Sequence, residues 1–119
     1  MYGYQPMNFT LVAAVATPQY RFVLNSGDNY GGPAVNATQF NPGVSQNSAA
    51  IGEHISVCPL GLTRCYVSSA VTAGSNITAA ADGGAVPAAS GDMVTAYTLE
   101  TGAVGDLIPV MAIPPWKLG

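Results

Sequence analysis

From Ser56 onward the chain alternates short apolar stretches with small polar punctuation. The pieces are Val71-Thr72-Ala73-Gly74-Ser75-Asn76-Ile77-Thr78, Ala81-Asp82-Gly83-Gly84-Ala85-Val86-Pro87-Ala88, Gly91-Asp92, Tyr97-Thr98-Leu99-Glu100 and Gly105-Asp106-Leu107-Ile108-Pro109-Val110. Each reads as a turn followed by a strand entry. Ahead of them, Glu53 to Cys58 sets Ile55 and Val57 between polar neighbours, the period-two pattern of a half-buried strand. Pro59 to Thr63 is expected to turn the chain and Arg64 to Ser68 to run back beside it. Asp82-Gly83-Gly84 is a tight-turn signal closing the strand around Ile77, and Met93 to Glu100 and Leu107 to Ile113 supply two further strands. Pro109 lacks an N–H, which predicts a sheet edge or a bulge there. Gly91-Asp92 and Gly105-Asp106 look like one turn type used twice, too short a pattern to count as a repeat.

The first half is looser. Met1 to Phe9 has two tyrosines, a proline and no period, and reads as an extended arm. Thr10 to Val15 fits a strand or the start of a short helix, and Tyr20 to Leu24 is the better strand, rich in aromatic and β-branched residues. Asn25 to Pro33 and Gln39 to Ser48 read as long Gly- and Asn-rich loops. No segment has a sustained helical period. The expectation is a single all-β domain over residues 1–119, a small β-barrel or β-tulip-like fold. It comprises an extended N-terminal arm (1–9), strands with long loops (10–50) and a compact β core (51–119).

Composition narrows the class. Charged residues are 8% of the 119, against roughly a quarter in ordinary soluble domains, and the formal charge is -3. Arg21, Arg64 and Lys117 are the only basic residues besides one histidine, too few for the electrostatic footprint of a nucleic-acid binder. The longest apolar stretches, Leu11 to Ala16 and Leu107 to Pro115, fall short of the roughly 20 residues that span a bilayer, so no membrane partner is expected. The start of the chain lacks the basic residues of a secretory signal, which predicts a protein that is not exported. With so few charges, the exposed faces must be built from Ala, Thr, Ser, Asn, Gln and Gly, which are easier to desolvate under a partner. That favours a subunit of an assembly over a free monomer.

Candidate chemistry is sparse. His54 follows Glu53 at a strand start, where neighbours point to opposite faces, so the two do not form one site. Ser56, Ser68 and Ser69 lie in no nucleophile motif. Cys58 and Cys65, on strands expected to pair, could face each other. Two buried thiols are favoured over a disulfide, and even with His54 they make no zinc site. Asp28, Asp82, Asp92 and Asp106 each sit beside a glycine but too far apart for a calcium loop, and turn formation accounts for them. No catalytic, cofactor-binding or metal residue is assigned and no cofactor is expected. Trp116, the only tryptophan, lies in the Pro-stiffened tail Ile113-Pro114-Pro115-Trp116, where it either caps the domain's core or anchors a neighbour. The candidate interface residues are Tyr2, Tyr4, Phe9 and Trp116.

The succession Val57-Cys58-Pro59-Leu60-Gly61-Leu62-Thr63-Arg64, Val71-Thr72-Ala73-Gly74, Ala81-Asp82-Gly83, Ala88-Ala89-Ser90-Gly91-Asp92, Ala96-Tyr97-Thr98-Leu99-Glu100 and Gly105-Asp106-Leu107-Ile108-Pro109-Val110 resembles the capsid-decorating, or cement, proteins of tailed bacteriophages. The resemblance covers roughly the C-terminal half. It implies a non-enzymatic virion protein, made in the host cytoplasm and bound outside the head. It further implies a homotrimer that clamps subunits of the major capsid protein. The alternative is a minor virion component, a head-fibre or tail-associated module that binds host glycan through Tyr2, Tyr4, Tyr30 and Trp116. A small hydrolase or lyase subunit is the remaining reading, and it lacks an acid–base pair.

Overall fold

The computed structural model describes residues 9–27, 29–33 and 43–118, and these form ten strands without a helix. Five make a closed barrel: β1 (Phe9–Ala13), β2 (Phe22–Gly27), β3 (Tyr30–Pro33), β4 (Gly43–Ser45) and β5 (His54–Cys58), in the order β1-β3-β2-β4-β5. The other five, β6 (Gly61–Tyr66), β7 (Asn76–Ala79), β8 (Ala85–Pro87), β9 (Met93–Thr98) and β10 (Leu107–Lys117), make a sheet in the order β6-β10-β9-β7-β8. The all-β, barrel-containing class expected from the punctuation is the one observed.

The two sheets are one design used twice. In the barrel, β1 pairs with β5 and, in parallel, with β3; β2 pairs with β3 and β4; β4 pairs with β5. In the second sheet β6 pairs with β10, β7 with β8 and β9, and β9 with β10. A lone parallel bridge, Val67 to Ala85, stands where β1 meets β3 through Ala13 and Gly31. The register is shared as well. Val23 opposes Pro33 as Ile77 opposes Pro87, Ser45 opposes Val57 as Thr98 opposes Val110, and Leu11 opposes Ile55 as Cys65 opposes Ile108. Gly105-Asp106 therefore matches Gly52-Glu53 within an internal repeat that the sequence reading did not recognise, and the turn type expected at Gly91-Asp92 and Gly105-Asp106 is indeed shared.

The repeated turn explains how so plain a sequence sets its register. Ala50-Ile51-Gly52-Glu53, Ala89-Ser90-Gly91-Asp92 and Ala103-Val104-Gly105-Asp106 each have the acid's N–H donating to the first alanine's carbonyl at 2.9–3.0 Å. In each the acid's carboxylate accepts that alanine's N–H at 2.7–2.9 Å. The third residue is a glycine at φ 87–93°, the left-handed geometry of a type II turn. Two residues after each acid comes a fully or almost fully buried β-branched residue, Ile55, Val94 or Ile108. The turn thus aims a strand with its apolar face inward.

A variant of this turn precedes β2 and β7. In the first, Tyr20 occupies the left-handed position at φ 62°, and in the second it is Gly74 at φ 78°. A buried hydroxyl joins each turn's ends. Ser45 Oγ donates to the Pro18 carbonyl at 2.7 Å and accepts from the Arg21 N–H at 3.1 Å; Thr98 Oγ1 donates to Thr72 at 2.6 Å and accepts from Ser75 at 3.0 Å.

Several expectations are corrected. Within the expected loop Asn25 to Pro33, residues 25–27 and 30–33 are the paired strands β2 and β3. A Cβ on Gly31 would meet Leu11 Cδ1 at 2.7 Å and one on Gly32 would meet Val15 Cγ2 at 2.6 Å, so these glycines mark close strand approach. The second expected loop contains β4. Tyr20 and Arg21 belong to the turn before β2. The sheets change over between Cys58 and Gly61, so β5 belongs with the first barrel and not with a compact core beginning at residue 51. β5 and β6 do not pair, and Cys58 and Cys65 do not face each other; both are free, buried thiols. Pro109 lies inside the sheet, between β6 and the end of β9. Its carbonyl accepts from Leu99 just beyond β9, and its nitrogen faces the same way, so the missing N–H interrupts no strand ladder. The expected arm, 1–9, falls outside the described residues except for Phe9.

Thr98→Val and Ser45→Ala are expected to destabilise the fold by about 1–3 kcal/mol each, because each strands a turn N–H and carbonyl in the interior; chemical denaturation checks this. Burial pushes the Cys65 thiol up to about 12. Unfolded, it ionises near 8.5, so its contribution is intact below about pH 8.5 and is lost as pH rises toward 12. Cys65→Ala should flatten that alkaline loss relative to the parent in pH-dependent melts.

Candidate interaction surface

The surface is organised by how the two halves meet. In the N-terminal barrel the seam between β1 and β3 is closed by the Val12 N–H donating to Asn29 at 2.6 Å. At the matching place in the C-terminal half, the Tyr66 N–H donates instead to the Tyr20 carbonyl at 2.9 Å, and the Gly83 carbonyl accepts from the Phe22 N–H at 2.7 Å. Residues 20–22 thus sit between the two edges of the second seam. Gly83 has φ 79°, and a Cβ there would meet the Phe22 carbonyl at 2.9 Å, so glycine is required on both counts.

Side chains complete the junction. Phe22 and Val44, fully buried, belong to the hydrophobic core of the C-terminal half, with Cys65, Val67, Ile77, Ala85 and Ile108. Leu11, Ala13, Val23, Ile55 and Val57 fill the N-terminal barrel separately. Arg21 lies over the Tyr66 ring with 4.0 Å to its centroid, donates to the Asp82 carbonyl at 2.9 Å and stands 4.0 Å from the Asp82 carboxylate. Burial raises the Asp82 carboxyl, but bonds from the Ser68 hydroxyl and the Gly84 N–H, together with Arg21, outweigh it and hold the group below its ordinary range. Gln46 Nε2 reaches across to Thr63 Oγ1 at 2.9 Å.

The sequence-selected residues are spread over this frame. Tyr2 and Tyr4 lie outside the described residues. Phe9 opens β1 opposite Val57 and is 36% exposed. Trp116 is in β10 rather than a tail. Pro114 and Pro115 break the register with β9 after Ala112, and pairing resumes with Trp116 opposite Val94, its side chain 43% exposed. Phe9 and Trp116 therefore belong to different sheets. Tyr30 is exposed at the start of β3. Glu53 is committed to its turn, and His54 is exposed at the edge of β5. Among the described residues there is no group of three or more His, Cys, Asp or Glu placed to hold a metal ion.

Other exposed apolar residues escaped the sequence reading. Ile51 and Val104 project from the same position of two equivalent turns, and Leu62, Tyr97 and Leu99 stand out from the second sheet. The available signal was the match of Ala50-Ile51-Gly52-Glu53 with Ala103-Val104-Gly105-Asp106, which only the strand register makes decisive.

No family model matches the chain, and no curated protein does. Among solved structures, it is similar to the head fiber gp8.5 N base of bacteriophage phi29 with a TM-score of 0.76 at 24% identity. The likeness covers 95% of this chain and 98% of that one, and it shows a shared fold.

Arg21→Ala is expected to lower stability by about 1–2 kcal/mol through loss of the stacking and the bond across the halves. The thermal midpoint measures this, and Arg21→Lys, which keeps the charge but not the planar stacking, should recover only part of the loss.

Proposed function

We propose that this protein is a non-enzymatic structural component of a phage virion that binds the outside of the head. The observation that carries the reading is the end-to-end fold likeness to a head-fibre base. The nearly uncharged surface supports it, since neutral small-residue faces are readily desolvated under a neighbouring subunit. In the first form of the reading the protein is a decoration protein, a homotrimer that bridges subunits of the major capsid protein. Many modest contacts repeated over a symmetric shell then sum to mechanical stabilisation.

A second form is favoured by what the similar structure is, the base of a head fibre. Here the barrel and the second sheet seat a small number of copies on the head, and exposed aromatics such as Tyr30 and Trp116 are available to a host glycan.

Copy number in purified particles, relative to the major capsid protein, tests both. A ratio near one, or one trimer per local threefold, is expected for decoration. A handful of copies per particle gives the fibre-base role, and absence from heads overturns the proposal.

A further inference from the structure

We propose that the C-terminal half binds a second copy of this chain, head to tail, through the face that matches the one its own N-terminal half buries. In the N-terminal half, Phe22 opposes Val44 and Val44 opposes Cys58, a cross-strand row at most 2% exposed, with Gln46 beside it. The matching positions of the C-terminal half are Asn76, Tyr97, Met111 and Leu99, and the row runs on through Leu62, the register partner of Met111. This row stands open: Leu62 is 65%, Leu99 45% and Tyr97 37% exposed. None of its members carries a charge.

The repeat identifies the occupant. Within the chain, the buried row lies against the seam end of a five-stranded unit. The C-terminal seam is already filled by residues 20–22, so the seam end left free is that of the N-terminal barrel of another copy. There Tyr30 and Val15 are exposed, beside a shallow apolar hollow lined by Ala14, Val15, Leu24, Gly31, Gly32 and Pro33. Because the bond from Val12 to Asn29 closes that seam, the second copy lies against it and side chains make the contact. The two faces are different surfaces, so the contact is heterologous. It deepens the proposed homotrimer by naming its surfaces, and it requires no head.

The test uses the full chain in isolation. Leu62→Glu with Tyr97→Glu damages one face, and Val15→Glu with Tyr30→Glu the other. By light scattering across a concentration series, the parent should self-associate and each double variant should be monomeric with the parent's far-ultraviolet spectrum and cooperative melting. An equimolar mixture of the two variants should form a heterodimer, since it holds one intact copy of each face. A parent that stays monomeric, variants that keep the parent's mass, or a mixture that fails to pair would each overturn the proposal. If Tyr97→Glu disturbs folding, Leu62→Glu with Leu99→Glu gives the same readout at more exposed positions. Copy number on heads is measured separately, so failure here leaves the head-binding reading standing.

Discussion

A backbone lodged in a seam holds this protein together. The second sheet repeats the strand order of the first barrel, yet it is joined along its last edge by only one bridge, Val67 to Ala85. Residues 20–22 of the first half supply the bonds that its own edges do not make. Phe22 follows that backbone into the core, Arg21 spans the rim between Tyr66 and Asp82, and Gly83 gives the space to do it. The halves are thus two readings of one topology that differ in whether the seam is closed from within or from outside.

What the sequence made legible follows from local chemistry. Turns marked by Gly with Asp, and strands marked by alternation such as Ile55 and Val57, are readable because the signal lies within a few residues. The pairing of β6 with β10 instead of β5, and the place of Pro109 inside a sheet, depend on contacts distant in sequence. Gly31 and Gly32 misled for a related reason: glycine reads as loop until the neighbouring strand that needs the room is known. The duplication stayed hidden because the shared positions are few and of ordinary types. Tyr20 stands for Gly74 and Ser45 for Thr98, with the backbone geometry retained and the side chain changed.

The candidate surface was less legible than the fold. Trp116 was singled out for its rarity, whereas the faces that the repeat marks carry Leu62, Tyr97 and Leu99, residues that composition alone gives no reason to choose. Comparing a position with its counterpart in the other half separates a buried contact from an exposed one without an alignment of relatives. Phe22 beside Asn76 and Val44 beside Tyr97 are such comparisons. In a chain with 8% charged residues, the two halves thus differ at matching positions in shape and burial more than in charge.

The asymmetry of the seams also gives the chain a direction of assembly. The N-terminal barrel closes with residues that leave the ribosome before position 60, while the C-terminal seam is completed by residues 20–22 of the half already made. Synthesis from N to C terminus therefore presents the template before the part that needs it. A circular permutation that put the second half first would reverse that order.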